Sequence, residues 1–237
     1  MKRIIVFVLC MISLSACNIL QGSGKVVSEE RNVSGFNKVT LSGVGELDIT
    51  QGPSETLTIE AEDNIIPKIT ANVNNGTLEI SYDSKVWNIL PSRAVKFHLT
   101  MNEINSLDTS GAGSISVSGL QTSALEISVS GGGNVSISDL SADTLNVTLN
   151  GVGNFDLAGS VTSQQVTLNG AGRYQAGDLQ SQNAKIVVNG GCSATIWVTD
   201  TLDVKITGLG GVDYYGHPNV TPNITGAGKV SELGDHK

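Results

Sequence analysis

Hydrophobic and polar positions alternate on both sides of a glycine cluster that recurs along the second half of the chain. The cluster reads Ser, Asn or Thr, then glycine, then one small or apolar residue, and in most copies a second glycine. Its first glycines are 20, 20, 19, 20, 18 and 18 residues apart. They are Gly111, Gly131, Gly151, Gly170, Gly190, Gly208 and Gly226. A fixed period of this length is typical of a solenoid, in which each repeat forms one coil.

The residues around each cluster follow the two-residue period of a β-strand. Apolar side chains stand two and four positions before the first glycine and four and six positions after it, and mostly Ser, Thr, Asn or Asp lie between them. In the repeat around Gly131 these apolar residues are Ile127, Val129, Val135 and Ile137. One apolar face and one polar face therefore run through every repeat.

Two closures fit this alternation: a parallel β-helix, or an antiparallel barrel or sandwich. The constant register of like residues favours the β-helix, because equivalent residues then stack about 4.8 Å apart. We therefore predict an all-β, single-stranded parallel β-helix (β-solenoid) with coils of about 20 residues. The polar residue before each first glycine should form a hydrogen-bonded ladder. Its predicted members are Ser110, Ser130, Asn150, Asn169, Asn189, Thr207 and Thr225.

The first half of the chain alternates less regularly. An early cluster, Ser42-Gly43-Val44-Gly45, stands apart from the other copies, and three alternating runs follow it. We expect residues 36–105 to begin the same solenoid with wider coils. The segment from Lys85 to Arg93 is predicted to be an insertion between strands with exposed apolar residues. These are Val86, Trp87, Ile89 and Leu90.

The N-terminus has the order of a bacterial export signal. Met1-Lys2-Arg3 is basic, and the apolar run from Ile4 to Ser13 is too short to span a bilayer. Leu14-Ser15-Ala16-Cys17 follows and resembles the lipobox of lipoproteins, whose cysteine is acylated and becomes the first residue after cleavage. An ordinary secretory signal peptide is the alternative. Asn18 stands where an Asp commonly retains lipoproteins at the inner membrane, which favours the outer membrane.

These features predict the limits of the domains. Residues 1–16 form the signal peptide, residues 17–35 a lipidated N-terminus with a flexible tether, residues 36–233 the β-helical domain, and residues 234–237 a tail. Acyl chains such as palmitate on Cys17 would hold the protein at the membrane.

Charge and cysteine content narrow the function classes further. The 237 residues carry 14 Lys+Arg against 22 Asp+Glu, a formal net charge of −8. Nucleic acid is therefore not an expected partner, because binding it requires a basic surface. A strand, rather than a helix, follows each glycine cluster, so the clusters are not dinucleotide-binding loops. With Cys10 removed and Cys17 acylated, Cys192 has no partner for an intramolecular disulfide.

The pattern offers little support for a metal or catalytic site. Calcium-binding rolls need regularly placed Asp in nine-residue repeats, which this chain lacks. His98, His217 and His236 are scattered, so we expect no metal and no cofactor. Cys192 has no neighbouring histidine and is expected to be a buried, inert thiol. The aspartates of the repeats fall at different phases, which indicates solvated charges rather than catalytic carboxylates.

Aromatic residues mark the candidate binding positions. Seven residues after the first glycine, the outward column holds Trp197 in one coil and Tyr215 in the next, about 5 Å apart. Two such rings can stack on a sugar, or they can simply pack against each other near the terminal coil. With Trp87 of the insertion, they are the candidate ligand-binding residues.

Several segments keep a recognisable order over most of the chain. They are Phe36–Val39, Gly43–Ile49, Leu57–Ile65, Gly76–Ile80, the glycine clusters and Tyr214–Pro218. In this order they resemble the bacterial family of "putative auto-transporter adhesin, head GIN domain" proteins, from roughly Phe36 to Leu233. The resemblance implies a β-helical surface or periplasmic domain, often on a lipoprotein, and it supplies no catalytic residues. One departure is Cys192, where a repeat glycine is expected.

Residues and resemblance together predict a lipid-anchored, non-enzymatic module of the cell envelope with an adhesin-like or structural role. Its expected partners are the membrane, through Cys17, and an envelope glycan or a surface protein. The alternative is an envelope polysaccharide lyase or hydrolase on a β-helix, which a tight cluster of carboxylates with Arg or Lys in a groove would favour. A third candidate is a scaffold whose end coils stack on the open edges of a partner.

Overall fold

The computed structural model describes residues 19–84 and 88–236, and nearly all of its regular structure is β-strand. Nine strands and one 3-10 turn form the less regular N-terminal part. They are β1 (Ile19–Gln21), β2 (Val26–Arg31), β3 (Lys38–Leu41), β4 (Val44–Gln51), β5 (Thr56–Glu62), the turn Ile66–Lys68, β6 (Ile69–Asn74), β7 (Thr77–Tyr82), β8 (Asn88–Leu90) and β9 (Lys96–Met101).

Ten further strands form the repeats. They are β10 (Ser106–Thr109), β11 (Ala112–Val117), β12 (Leu120–Val129), β13 (Gly132–Leu149), β14 (Val152–Leu168), β15 (Ala171–Val188), β16 (Gly191–Ile206), β17 (Gly211–Tyr215), β18 (Asn219–Ile224) and β19 (Lys229–Gly234). Within the described residues no helix is long and apolar enough to cross a bilayer.

Strands β10 to β19 confirm the predicted parallel β-solenoid, which makes about six turns. Each coil pairs with the next in parallel, so that Phe155 lies beside Tyr174 and Tyr174 beside Ala194. The predicted inward positions are buried: Ile127 and Val147 are 0% and 1% exposed. The two-residue period therefore places one continuous apolar core inside the coils.

The first glycines of the clusters stack on one another at one corner of the solenoid. A Cβ atom at Gly151 would lie 1.9 Å from the carbonyl oxygen of Gly131, and one at Gly170 would lie 1.7 Å from that of Gly151. No side chain fits between backbones this close, so the corner requires glycine at these positions.

The predicted polar ladder lies beside this column of glycines and is hydrogen-bonded in the later coils. Asn169 Nδ2 donates to Asn150 Oδ1, and Asn189 Nδ2 donates to Asn169 Oδ1, each over 2.7 Å. Thr207 Oγ1 continues the ladder by donating to Asn189 Oδ1 over 2.7 Å. Like residues in register thus satisfy one another's polar groups from coil to coil.

The N-terminal part reaches the same geometry by a different route. The early glycine cluster is adjacent in space to the later ones, because β3 and β4 pair in parallel with β10 and β11. Ser110 Oγ donates to Ser42 Oγ over 2.9 Å across 68 residues of sequence. Strands β7 and β9 add one more parallel layer on the far side of β3 and β4.

The expectation that residues 36–105 form wider coils of the same solenoid is wrong in one respect. Between β4 and β10 the chain also runs antiparallel: β5 pairs with β2 and with β9, and β6 pairs with β7. The turn at Asn74-Asn75-Gly76 explains part of this, since Asn75 and Gly76 both adopt positive φ and return β6 onto β7. These antiparallel strands replace a simple coil at the N-terminal end.

The N-terminal segment also differs from the flexible tether expected over residues 17–35. Residues 19–21 form β1, which pairs in parallel with β8, and residues 26–31 form β2, which pairs with β5. The amide of Gly22 donates to the carbonyl oxygen of Leu90 over 3.0 Å. Most of this segment is therefore part of the fold.

A buried carboxylate explains why glycines occur in this segment. Glu62 is 1% exposed, and it accepts hydrogen bonds from the amides of Gly24 at 2.6 Å and Ser92 at 2.9 Å. A Cβ at Gly22 would lie 1.9 Å from Glu62 Oε2. The Ser92 hydroxyl donates to Glu62 as well, and this bond, aided by the backbone amides, lowers the pKa of Glu62. We call Gly22, Gly24, Glu62 and Ser92 the Glu62 clasp.

The two ends of the solenoid are finished differently. At the N-terminal end, antiparallel strands β2 and β6 flank the outer layer. At the C-terminal end, β18 pairs only with β16 and β19 only with β17 among the described residues. Ile224 continues the inward column of Ile206, yet it is 42% exposed against 0% for Ile206. The last coil therefore leaves its inward face open at Ile224, whereas Val220 and Val230 are half-buried against the core.

Candidate functional site

The structure describes two of the four predicted site residues, Trp197 and Tyr215. Trp197 and Tyr215 lie in adjacent coils, in register with each other on β16 and β17. Cys17 and Trp87 lie outside the described residues. The ligand-binding role of these positions and the lipidation of Cys17 remain predictions.

The ring of His236 joins Trp197 and Tyr215. It stacks on Trp197 with ring centroids 4.1 Å apart and an interplanar angle of 6°, and it meets Tyr215 edge-on at 5.3 Å. Its Nε2 atom lies 3.0 Å from Asp178 Oδ1. His236 thus belongs to the candidate site, although the pattern predicts only a tail over residues 234–237. No periodic signal extends into this segment, so its packing was not accessible from the alternation.

A second histidine holds the same tail. His217 Nδ1 lies 2.8 Å from Glu232 Oε1, and its Nε2 lies 3.1 Å from Asp235 Oδ1. Hydrogen bonds with Glu232 and then with Asp235 raise the pKa of His217. The protonated ring can donate to both carboxylates at once. We call His217, Glu232, Asp235 and His236 the C-terminal latch.

The latch forms one wall of a surface groove of about 720 Å³. Three successive coils contribute Asp156, Gln175 and Thr195, each five residues after the first glycine of its cluster. The other lining residues are Leu157, Gly177, Asp178, Tyr215, Leu233, Asp235 and His236. The rings that line the groove are therefore those of Tyr215 and His236. Trp197 does not line the groove but stacks against the ring of His236.

A buried polar chain supports the backbone at Trp197 from inside the solenoid. The Tyr174 hydroxyl donates to Gln164 Oε1 at 2.9 Å, Gln164 Nε2 donates to Ser181 Oγ at 2.8 Å, and Ser181 Oγ donates to the Trp197 carbonyl oxygen at 2.9 Å. Burial raises the pKa of Tyr174, so its hydroxyl stays a neutral donor. Complete hydrogen bonding of this kind makes a buried polar network compatible with an apolar core.

The remaining candidate residues lie apart from the groove. Cys192 is 1% exposed, which confirms the expected buried thiol, and its Sγ donates to the Gly170 carbonyl oxygen at 3.2 Å. Burial raises the pKa of this thiol, which disfavours the reactive thiolate. His98 faces outward on β9, 3.6 Å from Asp48. Among the described residues no three His, Cys, Asp or Glu side chains are grouped closely enough to hold a metal ion.

The chemistry of the groove suits a ligand rich in hydroxyl groups. Asp156, Asp178 and Asp235 supply carboxylate acceptors, while Gln175 and Thr195 supply both donors and acceptors. The aromatic rings add a flat apolar surface. Among the described residues that line this groove three are Asp and none is Lys or Arg, which disfavours an anionic ligand.

Parallel coils with outward columns of side chains define a β-solenoid that presents an extended surface to partners. Residues 35–218 match the family described as "Putative auto-transporter adhesin, head GIN domain". The chain belongs to this family, as its motifs predicted. Comparison with curated proteins found no match.

Solved structures share the fold over almost the whole chain. A putative adhesin from Bacteroides fragilis superposes with a TM-score of 0.86 at 28% identity, covering 90% of this chain and 100% of that one. A putative lipid binding protein from Parabacteroides distasonis has a TM-score of 0.75 at 21% identity, covering 91% and 99%. A putative adhesin from Parabacteroides merdae has a TM-score of 0.68 at 21% identity, with the same coverage.

Proposed function

We propose that the protein is a lipid-anchored, adhesin-like module of the cell envelope that binds a glycan in the groove beside the C-terminal latch. The family and its solved relatives named as adhesins support a non-enzymatic role at the envelope or surface. The observation that supports a glycan ligand is the groove itself, where aromatic rings, carboxylates and a side-chain amide lie together on the solenoid. A sugar offers hydroxyl donors to the carboxylates and an apolar ring face to the aromatic side chains.

The lipid anchor rests on the Leu14-Ser15-Ala16-Cys17 sequence, which directly ends an apolar run. Together with Asn18, it supports the outer membrane as the destination. Replacing Cys17 with Ala in the full chain should prevent acylation and release the protein from the membrane fraction. Intact-mass analysis and membrane fractionation test this directly, and an unchanged mass and distribution would refute the anchor.

Glycan binding is tested with the full-length protein on an array of envelope polysaccharides. Tyr215→Ala and Asp178→Asn should each abolish binding to a glycan that the parent protein recognises. Asp143→Asn is the matched control, because Asp143 lies in a different surface depression. If no glycan binds the parent, or if the control loses as much binding as Asp178→Asn, the groove is not the binding site.

One observation favours the alternative function, a polysaccharide lyase or hydrolase: three carboxylates line the groove. A glycosidase needs one carboxyl group that stays protonated, which usually requires burial. The side chains of Asp178 and Asp235 are instead 80% and 87% exposed and face histidines. Release of reducing or unsaturated ends from a bound glycan by the parent protein, lost in Asp156→Asn, would establish the enzyme instead of the adhesin-like module.

A further inference from the structure

An exposed apolar ridge runs along the glycine corner of the solenoid. The residue after the first glycine is exposed in seven of the eight clusters, and in the first cluster, at Val44, it is half-buried. The ridge consists of Val44, Ala112, Gly132, Val152, Ala171, Gly191, Leu209 and Ala227. Two of these side chains are large and strongly exposed, Val152 at 65% and Leu209 at 79%. Packing does not require apolar residues there, because both side chains stand mostly in solvent.

The ridge is also free of charge. None of the eight glycine clusters contains Asp, Glu, Lys or Arg, in a chain that carries 22 acidic and 14 basic residues. The outward column two residues beyond the ridge, by contrast, includes Glu46, Arg173 and Lys229. This uncharged corner with two large exposed apolar residues differs from the partly charged column beside it, and contiguous exposed apolar surface is a feature of interaction sites.

The N-terminal strand lies at the same corner. β1 pairs with β8, and Ile89 and Leu90 of β8 line a groove together with Val44 and Ala112 of the ridge, with Glu46 and Arg93 among its other lining residues. Ile19 and Leu90 are themselves 57% and 60% exposed, so the paired strands extend the apolar surface.

The position of β1 limits how far an acylated Cys17 can lie from the fold. Only Asn18 separates Cys17 from Ile19, so their Cα atoms are at most about 7.6 Å apart. Because β1 is bound to the fold, a single residue, Asn18, would join an acylated Cys17 to the solenoid. Acyl chains on Cys17 would therefore enter the bilayer beside β1 and β8.

We propose that the glycine corner lies against the lipid bilayer that holds the Cys17 acyl chains, with Ile19, Leu90, Val152 and Leu209 at the bilayer surface. The inference rests on the lipid anchor proposed above. A neutral apolar ridge suits this contact, because the acidic faces of the protein would be repelled by anionic lipids. The solenoid would then lie along the membrane rather than stand away from it.

The test uses the full-length, acylated protein in vesicles of phosphatidylethanolamine and phosphatidylglycerol. A fluorophore is attached to a cysteine introduced by Val152→Cys or Leu209→Cys, and nitroxide-labelled lipids quench it. Thr162→Cys is the matched control, since Thr162 is exposed in the same coil, ten residues beyond Val152. Native Cys192 is buried, and the parent protein controls for its labelling.

We expect at least twofold stronger lipid quenching at positions 152 and 209 than at position 162. If the three positions are quenched equally in protein whose mass confirms acylation, the proposed orientation is wrong and the lipid anchor is still supported. Absence of the acyl mass would overturn both. A label at 209 whose signal depends on protein density rather than on nitroxide lipid would show a second copy on the ridge, and this outcome also refutes the membrane contact.

Discussion

The two halves of the molecule build the same coil geometry from very different chain paths. Between Ser106 and Gly234 each coil stacks on the one directly before it in sequence. Around Ser42 the neighbouring coil comes from 68 residues further along, and the chain between them runs through antiparallel strands. The comparison teaches that stacked backbones and an inward apolar phase define a coil, whereas adjacency in sequence does not.

The difference also separates two ways of ending a solenoid. In the N-terminal part the antiparallel strands and the Glu62 clasp fasten β1 and β2 to the outer coils. In the C-terminal part the parallel strands β18 and β19 close the solenoid, and the latch around His217 adds side-chain contacts to earlier coils. One end is therefore finished by antiparallel strands, and the other by parallel strands with exposed side-chain contacts across them.

The largest effect tests whether the regular half is one core. Val147→Asp should destabilise the protein by about 3–5 kcal/mol, because it buries a charge without a partner. Thr148→Asp, on the outward face of the same strand, should cost only about 0.5 kcal/mol. Chemical denaturation of both variants measures this, and equal losses would contradict the inward phase. Ile127→Asp should repeat the severe result one coil earlier.

The next prediction compares a glycine whose position leaves no room for a side chain with one whose position does. Gly151→Ala should cost about 1–3 kcal/mol, since the added methyl meets the Gly131 carbonyl oxygen. Gly191→Ala is the matched control, because a Cβ there meets nothing within 4 Å and φ is not in the positive range. The control should be neutral or stabilising by about 0.4–1 kcal/mol. Similar melting temperatures for the two variants would disprove the close stacking.

A smaller effect concerns the N-terminal clasp and acid pH. The pKa of Glu62 is lowered in the folded protein, so the contribution of its carboxylate is present above the ordinary value of 4.5 and is lost as pH falls through the lowered pKa. The protection of the Gly24 and Ser92 amides against exchange, relative to their intrinsic rates at each pH, should be lost in acid before that of β13 and β14. In Glu62→Gln these two amides should show the reduced protection already at neutral pH. Simultaneous loss of protection in both regions would refute a local clasp.

The smallest effect concerns the C-terminal latch and has the opposite pH dependence. The pKa of His217 is raised, so the contribution of its protonated ring is present below the ordinary value of 6.5 and is lost as pH rises through the raised pKa. His236 should then leave Trp197, and the tryptophan emission should change in a titration through this range. His217→Gln should remove the transition while leaving the solenoid folded. A titration unchanged in this variant would assign the signal to another group.

The regular half was predictable because its information is local and repeated. The burial of Ile127 and Val147 follows from their distance to the nearest glycine. Gln164 was not predictable in this way: it occupies an inward position between Leu145 and Ala184, where the alternation calls for an apolar residue. Its compensating partner, Tyr174, lies ten residues away on another strand.

The N-terminal half and the groove depended on contacts that the local pattern does not encode. Gly22 and Gly24 read as a flexible tether because their partner, Glu62, is about forty residues away and lies in a strand of its own. His236 read as tail because only the folded coils bring Trp197 beneath it. Both errors have the same physical origin, since a single long-range contact leaves no period in the sequence.

The stacked glycine corner has a consequence for how such a protein can change over evolutionary time. Since each regular coil contacts only its two neighbours, duplicating one segment of 18–20 residues would lengthen the rod by about 4.8 Å and leave both ends unaltered. The separation between β1 and the groove is thus adjustable in discrete steps by copying a short stretch of gene. The same copying would fail between β4 and β10, where neighbouring coils are encoded far apart.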